Sequence, residues 1–204
     1  MTRVKICGIT RQQDALLAAD LGAFAVGFVF WPGSARYLDP RAARAIVNAL
    51  PAAVQKVGVF VNQPAGHVRF VAETAGLTTV QLHGTETVAF ALGVGKPVLK
   101  TVPVGHEFSP ASLDEIPSEI TVLLDAFDPV THGGTGRRID WTLAAAASAR
   151  RPIVLAGGLN PSNIADAVRQ VRPLAVDLSS GVESAPGVKD HARLRDLFEA
   201  LAHD

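Results

Sequence analysis

The segment VKICGITRQQDAL, residues 4–16, indicates which fold the chain adopts. It begins with a short apolar run, VKICGI, that lacks polar alternation, as expected of a parallel strand buried on both faces. In the polar stretch that follows, Thr10 with Gln13 three residues later is typical of a capping box at the start of a helix. An open doubly wound sheet is the main alternative. It would favour a glycine-rich dinucleotide fingerprint here, and the sequence has GITRQQ instead.

Seven further apolar runs alternate with helix signals along the chain. The fifth predicted helix, near residues 110–116, is short, and residues 188–202 predict the eighth. Eight strand and helix units without a linker predict an α/β fold whose sheet closes into a (β/α)8 TIM barrel, a single domain over residues 1–204. The further runs occupy residues 23–30, 56–62, 78–84, 97–104, 120–127, 152–158 and 174–181.

Individual residues indicate where several helices begin and end. Gly22 suits a helix C-terminal cap, because glycine adopts the left-handed conformation that such caps need. Asp39-Pro40 and Asn160-Pro161 each pair an N-cap residue with a proline at the first helical position.

The composition excludes several classes of protein. With 204 residues, 48% of them hydrophobic, the chain can bury one substantial core. Its 19 Lys and Arg balance 19 Asp and Glu, so the long-range attraction that nucleic acids and anionic membranes exploit is missing. The sequence shows no signal peptide and no membrane-length apolar run, and it has only one cysteine. These features predict a cytoplasmic protein with neither nucleic-acid nor membrane partners.

The ends of the predicted strands carry the candidate catalytic residues, because active sites in (β/α)8 barrels lie at the C-terminal ends of the strands. Cys7, the only cysteine, lies near the end of the first strand. A lone strand cysteine is more often inert core filler, so this position alone leaves both interpretations open. Asp125, in LLDAF, has apolar neighbours, which disfavour the charged form of a carboxyl group as a general acid requires. It could instead cap a turn.

Two glycine-containing turns, LAGGLNPSNI and DLSSGVES, follow the seventh and eighth runs. Their backbone N–H groups can face an anion, and in (β/α)8 enzymes these two loops often hold a substrate phosphate. The candidate phosphate-binding residues are Gly157, Gly158, Ser180 and Gly181. The alternative is that the glycines only permit tight turns.

Other residues near strand ends are further candidates for substrate binding. Arg36 could grip a carboxylate through two parallel hydrogen bonds, or it could be solvated. His83 could line the pocket or be a satisfied histidine, and Asp177 could contact substrate hydroxyls or hold its loop. Gly134 belongs to the glycine cluster of residues 132–136, which suits a flexible lid. No spacing of histidine and cysteine indicates a metal site.

Seven motifs, taken together and in order, resemble the phosphoribosylanthranilate isomerase family. They are KICGIT, GFVFWPGSARYL, VGVFVN, VQLHG, LLDAF with GGTG, LAGGLNPSNI and VDLSSGVESAPGVKDH. The resemblance covers residues 3–201 and implies an isomerase of tryptophan biosynthesis. Its reaction is the Amadori rearrangement of N-(5-phosphoribosyl)anthranilate to 1-(2-carboxyphenylamino)-1-deoxyribulose 5-phosphate. The sequence departs from the family in variable segments such as FDPVTH, before the glycine cluster, so the resemblance does not determine the details of the lid.

The resemblance also implies roles for individual residues. Cys7 matches the general base, Asp125 the general acid, and Arg36 the arginine that faces the anthranilate carboxylate. Because the substrate's own nitrogen serves as electron sink, neither a metal nor an organic cofactor is expected. The expected partner is a small-molecule phosphosugar. A monomer is expected, although the sequence leaves the oligomeric state open.

Three alternatives remain at this point. A ribulose-phosphate epimerase or an indole-glycerol-phosphate synthase would share the phosphate loops but use other acids and bases. A non-catalytic phosphosugar sensor would keep only the anion site, and the retained Cys7 and Asp125 argue against it. An isomerase of the histidine pathway ordinarily uses two aspartates, so a cysteine at position 7 disfavours that reaction.

Overall fold

The computed structural model describes residues 2–126 and 138–202. Eight parallel strands pair in chain order, and the eighth pairs with the first, so the sheet is a closed barrel. This arrangement confirms the predicted (β/α)8 TIM barrel, while the domain limits of 1–204 stay a prediction. The strands are β1 (Arg3–Ile6), β2 (Ala25–Val29), β3 (Gln55–Phe60), β4 (Thr79–Leu82), β5 (Val98–Val104), β6 (Ile120–Ala126), β7 (Ile153–Leu155) and β8 (Ala175–Leu178).

Both faces of the barrel wall are buried, which explains why the apolar runs lack polar alternation. Outward-facing side chains such as Ile6 and Leu124 share one large core with helix residues such as Val68. Inward-facing side chains form a separate cluster that fills the barrel. Its members are Leu99, Leu123, Val154, Ala156 and Ala175.

Seven α-helices are present in the described part of the chain. The predicted fifth helix is instead a 3-10 segment, Pro110–Glu115, between β5 and β6. After β8 come a 3-10 turn, Ser180–Val182, and a short antiparallel hairpin of β9 (Glu183–Ala185) and β10 (Val188–Lys189). The helices are α1 (Gln12–Asp20), α2 (Pro40–Ala49), α3 (Ala65–Ala75), α4 (Val88–Leu92), α5 (Trp141–Ser148), α6 (Ile164–Val171) and α7 (His191–Ala202).

Two of the predicted helix ends are confirmed. Asp39 precedes α2, and its Oδ1 accepts from the backbone N–H groups of Arg41 and Ala42 at 2.8 and 3.4 Å. Gly22 follows the end of α1 with a φ of 99°, in the left-handed region where glycine is favoured.

Two other predicted helix starts are wrong. The Thr10 hydroxyl donates to the carbonyl of Gly187 in the hairpin, so a tertiary contact takes the group that a capping box would use. Asn160 Oδ1 accepts from the Ser162 N–H at 2.9 Å, which turns the chain before the helix. Helix α6 begins only at Ile164, so Pro161 is not its first residue.

Candidate active site

The carboxyl ends of the barrel strands bring together most of the predicted site residues. Cys7 directly follows β1, His83 directly follows β4, and Asp125 is the penultimate residue of β6. Side chains alternate between the two faces of a strand, and each of these three residues occupies a position that points into the barrel. Arg36 lies in the loop after β2. The predicted lid residue Gly134 lies outside the described residues.

The Cys7 thiol lies in a pocket with an apolar wall. Its side chain clusters with Val29 and Val59, and Trp31 packs against this cluster. On the neighbouring strand β2, a Cβ atom at Gly27 would lie only 2.8 Å from Cys7 Sγ. Glycine at position 27 therefore makes the room that the thiol occupies.

A buried ion pair lies beside the thiol. Lys5 Nζ and Asp177 Oδ1 are 2.8 Å apart, on paired positions of β1 and β8 inside the barrel. Burial alone would lower the pKa of Lys5, but the negative charges of Asp177 and the Cys7 thiolate raise it. Burial raises the pKa of Cys7, and the positive charge of Lys5 opposes that rise. Lys5 thus favours the thiolate form of Cys7.

Arg36 forms an ion pair that the sequence did not reveal. Its Nε lies 3.0 and 3.2 Å from the two carboxylate oxygens of Glu183, and its Nη2 lies 2.7 Å from Oε2. Lys189 Nζ approaches Glu183 Oε1 to 2.8 Å. Burial by itself would raise the pKa of Glu183, but Arg36 and Lys189 hold it below its ordinary value. Three charged groups are therefore fixed at this rim of the barrel.

The Asp125 carboxylate has polar partners. Its Oδ1 accepts from the Ala126 N–H at 2.7 Å, and its Oδ2 lies 3.4 Å from His83 Nε2. His83 Nδ1 lies 3.0 Å from Gln81 Nε2 and 3.1 Å from Thr101 Oγ1. The expectation of apolar surroundings is wrong for the carboxylate itself, because sequence neighbours on a strand point to opposite faces.

The loops after β7 and β8 form one surface. A Cβ atom at Gly181 would lie 1.9 Å from the Leu159 carbonyl oxygen, so the two backbones are in direct contact. Gly157 and Gly158 have φ values of 85° and 65°, which favour glycine. Within the described chain, the N–H groups of the four predicted phosphate-binding residues donate no hydrogen bond to protein. They are Gly157, Gly158, Ser180 and Gly181.

Sequence reasoning did not identify Glu183, Lys189, Gln81 or Thr101 as members of the site. Glu183 and Lys189 stand within the motif VDLSSGVESAPGVKDH, but nothing local indicates that their side chains meet an arginine from the other end of the chain. Gln81 and Thr101 point into the barrel as His83 does, and the alternation of side chains along the strands could have predicted this.

The opposite end of the barrel, away from the predicted site residues, holds a cleft. It is lined by residues before β6, β7 and β8, including Ile116, Pro117 and Leu174. Arg151 crosses it and donates to four backbone carbonyls, those of Leu113, Ile116, Pro117 and Ile120. This hydrogen bonding ties loops together, as is typical of the stabilising face of the fold.

Two further findings concern metals and membranes. Among residues 2–126 and 138–202, no group of three or more His, Cys, Asp or Glu side chains is arranged to hold a metal ion. None of the described helices is long and apolar enough to cross a bilayer.

Comparison with known proteins decides the family. The sequence model of N-(5'-phosphoribosyl)anthranilate (PRA) isomerase matches residues 4–200 of the chain. The chain belongs to this family. The isomerase of Pelobacter propionicus is 48% identical over 200 residues, covering 97% of this chain and 94% of that protein. That of Citrifermentans bemidjiense is 50% identical over 198 residues, covering 97% and 96%.

Solved structures of phosphoribosylanthranilate isomerases superpose closely on the barrel. The Thermus thermophilus isomerase matches with a TM-score of 0.91 and 46% identity, covering 98% of each chain. The Thermotoga maritima isomerase matches with a TM-score of 0.90 and 41% identity over the whole of both chains. A further structure, with a TM-score of 0.86 and 41% identity over both whole chains, holds reduced 1-(o-carboxyphenylamino)-1-deoxyribulose 5-phosphate. Another describes monomers made from the dimeric Thermotoga enzyme.

Proposed function

We propose that the chain converts N-(5'-phosphoribosyl)anthranilate into 1-(2-carboxyphenylamino)-1-deoxyribulose 5-phosphate, with Asp125 as general acid and Cys7 as general base. One observation carries these roles. In the closed barrel the order of neighbours is β6, β7, β8 and β1. The two phosphate loops therefore lie between the strand of the acid and the strand of the base. A phosphosugar anchored there has one reacting group on either side.

The anchor for the phosphate is a set of backbone amides. Gly157, Gly158, Ser180 and Gly181 offer N–H groups that have no protein acceptor among the described residues. Oriented amides attract an anion without a full positive charge. This explains how a chain with a formal net charge of zero can hold a doubly charged phosphate.

Ring opening is the first chemical step. Asp125, in its protonated form, gives its proton to the ribose ring oxygen, and the bond from that oxygen to C1 breaks. The lone pair of the anthranilate nitrogen forms the C1–N double bond, which leaves an iminium ion. Its positive charge acidifies the proton on C2.

Proton removal from C2 is the second step. The Cys7 thiolate takes that proton, the C2 bonding electrons form a C1–C2 double bond, and the nitrogen recovers its lone pair. The resulting enolamine tautomerises to the ketone. The nitrogen of the substrate supplies an electron pair in the first step and takes it back in the second, so the proposal needs neither a metal nor an organic cofactor.

The remaining site residues have positioning roles in this proposal. Arg36 faces the anthranilate carboxylate, and Lys5 offsets part of the burial cost of the Cys7 thiolate. His83 orients the Asp125 carboxylate. Asp177 holds Lys5 at the thiol, and its contact with substrate hydroxyls stays a prediction. A monomeric state and a cytoplasmic location also stay predictions.

Two substitutions test the assignment of acid and base. Cys7→Ser and Asp125→Asn should each lower kcat about 10²- to 10⁴-fold, the range typical of a positioned acid or base. The assay follows the loss of fluorescence of freshly made phosphoribosylanthranilate. Asp166→Asn, on the exposed face of α6, is the matched control and should leave kcat unchanged. If both site variants keep near wild-type kcat, the assigned roles are wrong.

A substrate comparison tests specificity. Progress curves with the aminoaldose phosphate of the histidine pathway, run beside phosphoribosylanthranilate, should show turnover of the anthranilate compound alone. Equal turnover of both compounds would contradict a site built around a cysteine base.

A further inference from the structure

Among the described residues, only one edge of the Arg36 guanidinium has a partner. Nε and Nη2 bind the Glu183 carboxylate at 2.7 to 3.2 Å. Nη1 donates to no described residue. An arginine held in this way keeps its second donor pair, Nη1 with Nη2, available for another carboxylate.

Glu183 creates an electrostatic problem for such a second carboxylate. Arg36 and Glu183 together carry no net charge, so at contact distance the repulsion from Glu183 offsets much of the attraction from Arg36. Two carboxylates around one guanidinium need a further cation. Lys189 supplies it, since its Nζ lies 2.8 Å from Glu183 Oε1 and the residue is 2% exposed.

We propose that Glu183 and Lys189 are specificity-determining positioning residues. Glu183 aims Arg36 at the aromatic carboxylate of the substrate, and Lys189 cancels the charge of Glu183 so that the cluster keeps a net charge of +1. This inference rests on the proposed function. The neighbouring pair of Lys5 and Asp177 is neutral as a unit and does not change this sum.

The cluster is built to stay in place before any ligand arrives. Glu183 Oε1 also accepts from the Gly187 N–H at 3.2 Å, and Lys189 Nζ donates to the Ser179 carbonyl at 3.2 Å. The Lys189 N–H donates to Asp14 Oδ2 at 3.0 Å, which ties the hairpin of β9 and β10 to helix α1. A side chain fixed in advance loses little conformational freedom on binding.

A pair of ligands isolates the carboxylate contribution. The first is reduced 1-(o-carboxyphenylamino)-1-deoxyribulose 5-phosphate, and the second is the same compound without the carboxylate. Calorimetry gives the Kd of both, and the ratio of the two Kd values is the carboxylate preference. Lys189→Met should lower this preference about 10-fold. Both ligands carry the phosphate, so any effect of the lost hydrogen bond to the Ser179 carbonyl acts on both Kd values and cancels in their ratio.

A charge-balanced double variant separates electrostatics from structure. Glu183→Gln with Lys189→Met removes one charge of each sign and restores the net +1, and the Gln carbonyl can still accept from Arg36. The carboxylate preference should return to within about 3-fold of wild type. Glu183→Gln alone, at net +2, should raise it. If Lys189→Met does not fold, the double variant and Glu183→Gln test the inference through the same ratio of Kd values.

Lys56→Met is the matched control. Lys56 is a buried lysine on β3 whose Nζ donates to the Pro51 and Ala52 carbonyls, and its loss should leave the preference unchanged. Equal weakening of both ligands by Lys189→Met, or a double variant no better than the single one, would overturn the inference. If the wild-type protein turns over the substrate but Lys189→Met leaves the carboxylate preference unchanged, this inference is wrong and the proposed function stands. A wild-type protein without turnover would sink the proposed function.

Discussion

Around Cys7 the nearby side chains carry charge, whereas around Asp125 the contacts are a backbone amide, an imidazole and a close glycine. The Cys7 side, formed by β1, β8 and the loop after β2, contains Lys5, Asp177, Arg36 and the Glu183–Lys189 pair. The Asp125 side, formed by β4 to β7, positions its carboxylate with the Ala126 N–H and His83.

The difference follows from what each group has to do. A thiol acts as a base only after losing its proton, and nearby cations favour the thiolate that results. A general acid must carry its proton into the reaction, so a neighbouring fixed cation would work against it. We therefore expect the Cys7 side to be sensitive to charge and the Asp125 side to be sensitive to shape. Substitutions that change only shape or only charge, made on one side at a time, test this expectation.

Among substitutions that leave the acid and the base themselves in place, Gly157→Ala should have the largest effect, and it should act on the Asp125 side. A Cβ atom there would lie 2.8 Å from Ile139 Cγ2, 3.1 Å from the Ala126 nitrogen and 3.3 Å from Asp125 Oδ1, on a backbone with φ of 85°. We expect kcat/KM to fall about 10²-fold, because small misplacements of a reacting group cost rates of that order.

The matched control for that glycine is Gly66→Ala. Gly66 lies in helix α3, and a Cβ atom there would meet no atom within 4 Å outside its own turn of the helix. Alanine should therefore leave kcat/KM unchanged and slightly raise the melting temperature. The titration of the Cys7 thiol should be the same in both variants. A shifted thiol titration in Gly157→Ala would show that the two sides are not independent.

The contrast between the two sides could be predicted from the sequence only in part. Cys7 and Asp125 were found because all strands of a parallel barrel end at the same rim, so strand ends alone place their residues together. The partners of these residues were not found. Arg36 and Glu183 are 147 positions apart, and nothing local to either residue encodes their contact.

Local patterns failed where a tertiary contact competed with them. Thr10 has the spacing of a capping residue, yet the hairpin after β8 supplies a carbonyl that takes its hydroxyl. The apolar neighbours of Asp125 in sequence predicted an apolar site, yet Leu124 packs in the outer core while Asp125 faces His83. Both errors have one physical cause, because contacts with residues distant in sequence decide what surrounds each side chain, and local patterns do not encode them.

Lys5→Met should have an intermediate effect and should act on the Cys7 side. Burial raises the pKa of Cys7 above its ordinary value and Lys5 opposes this, so removing Lys5 should raise the pKa further. At any pH below that pKa less thiolate is present, and kcat/KM near neutral pH should fall about 10-fold for each unit of the rise. The alkaline shift of the rate profile is the expected signature.

The direct measurement is the rate at which the thiol is alkylated as a function of pH, which reports Cys7 alone because the chain has one cysteine. Lys56→Met is again the matched buried-lysine control. If Lys5→Met does not fold because Asp177 is left buried without its partner, the double variant Lys5→Met with Asp177→Asn replaces it. The pKa of Cys7 should still rise in the double variant, by less than in Lys5→Met. An unchanged pKa of Cys7 in Lys5→Met would show that Lys5 does not stabilise the thiolate.

His83→Gln should have the smallest effect. The imidazole approaches Asp125 Oδ2 only to 3.4 Å, longer than an ordinary hydrogen bond, while the Ala126 N–H holds Oδ1 at 2.7 Å. Losing one weak orienting contact should lower kcat about 5-fold, the equivalent of roughly 1 kcal/mol, and leave KM nearly constant. Steady-state kinetics with the Cys7 titration in parallel tests this. A loss as large as that of Asp125→Asn would instead make His83 a proton donor in its own right, and the Asp125 side would then depend on charge as the Cys7 side does.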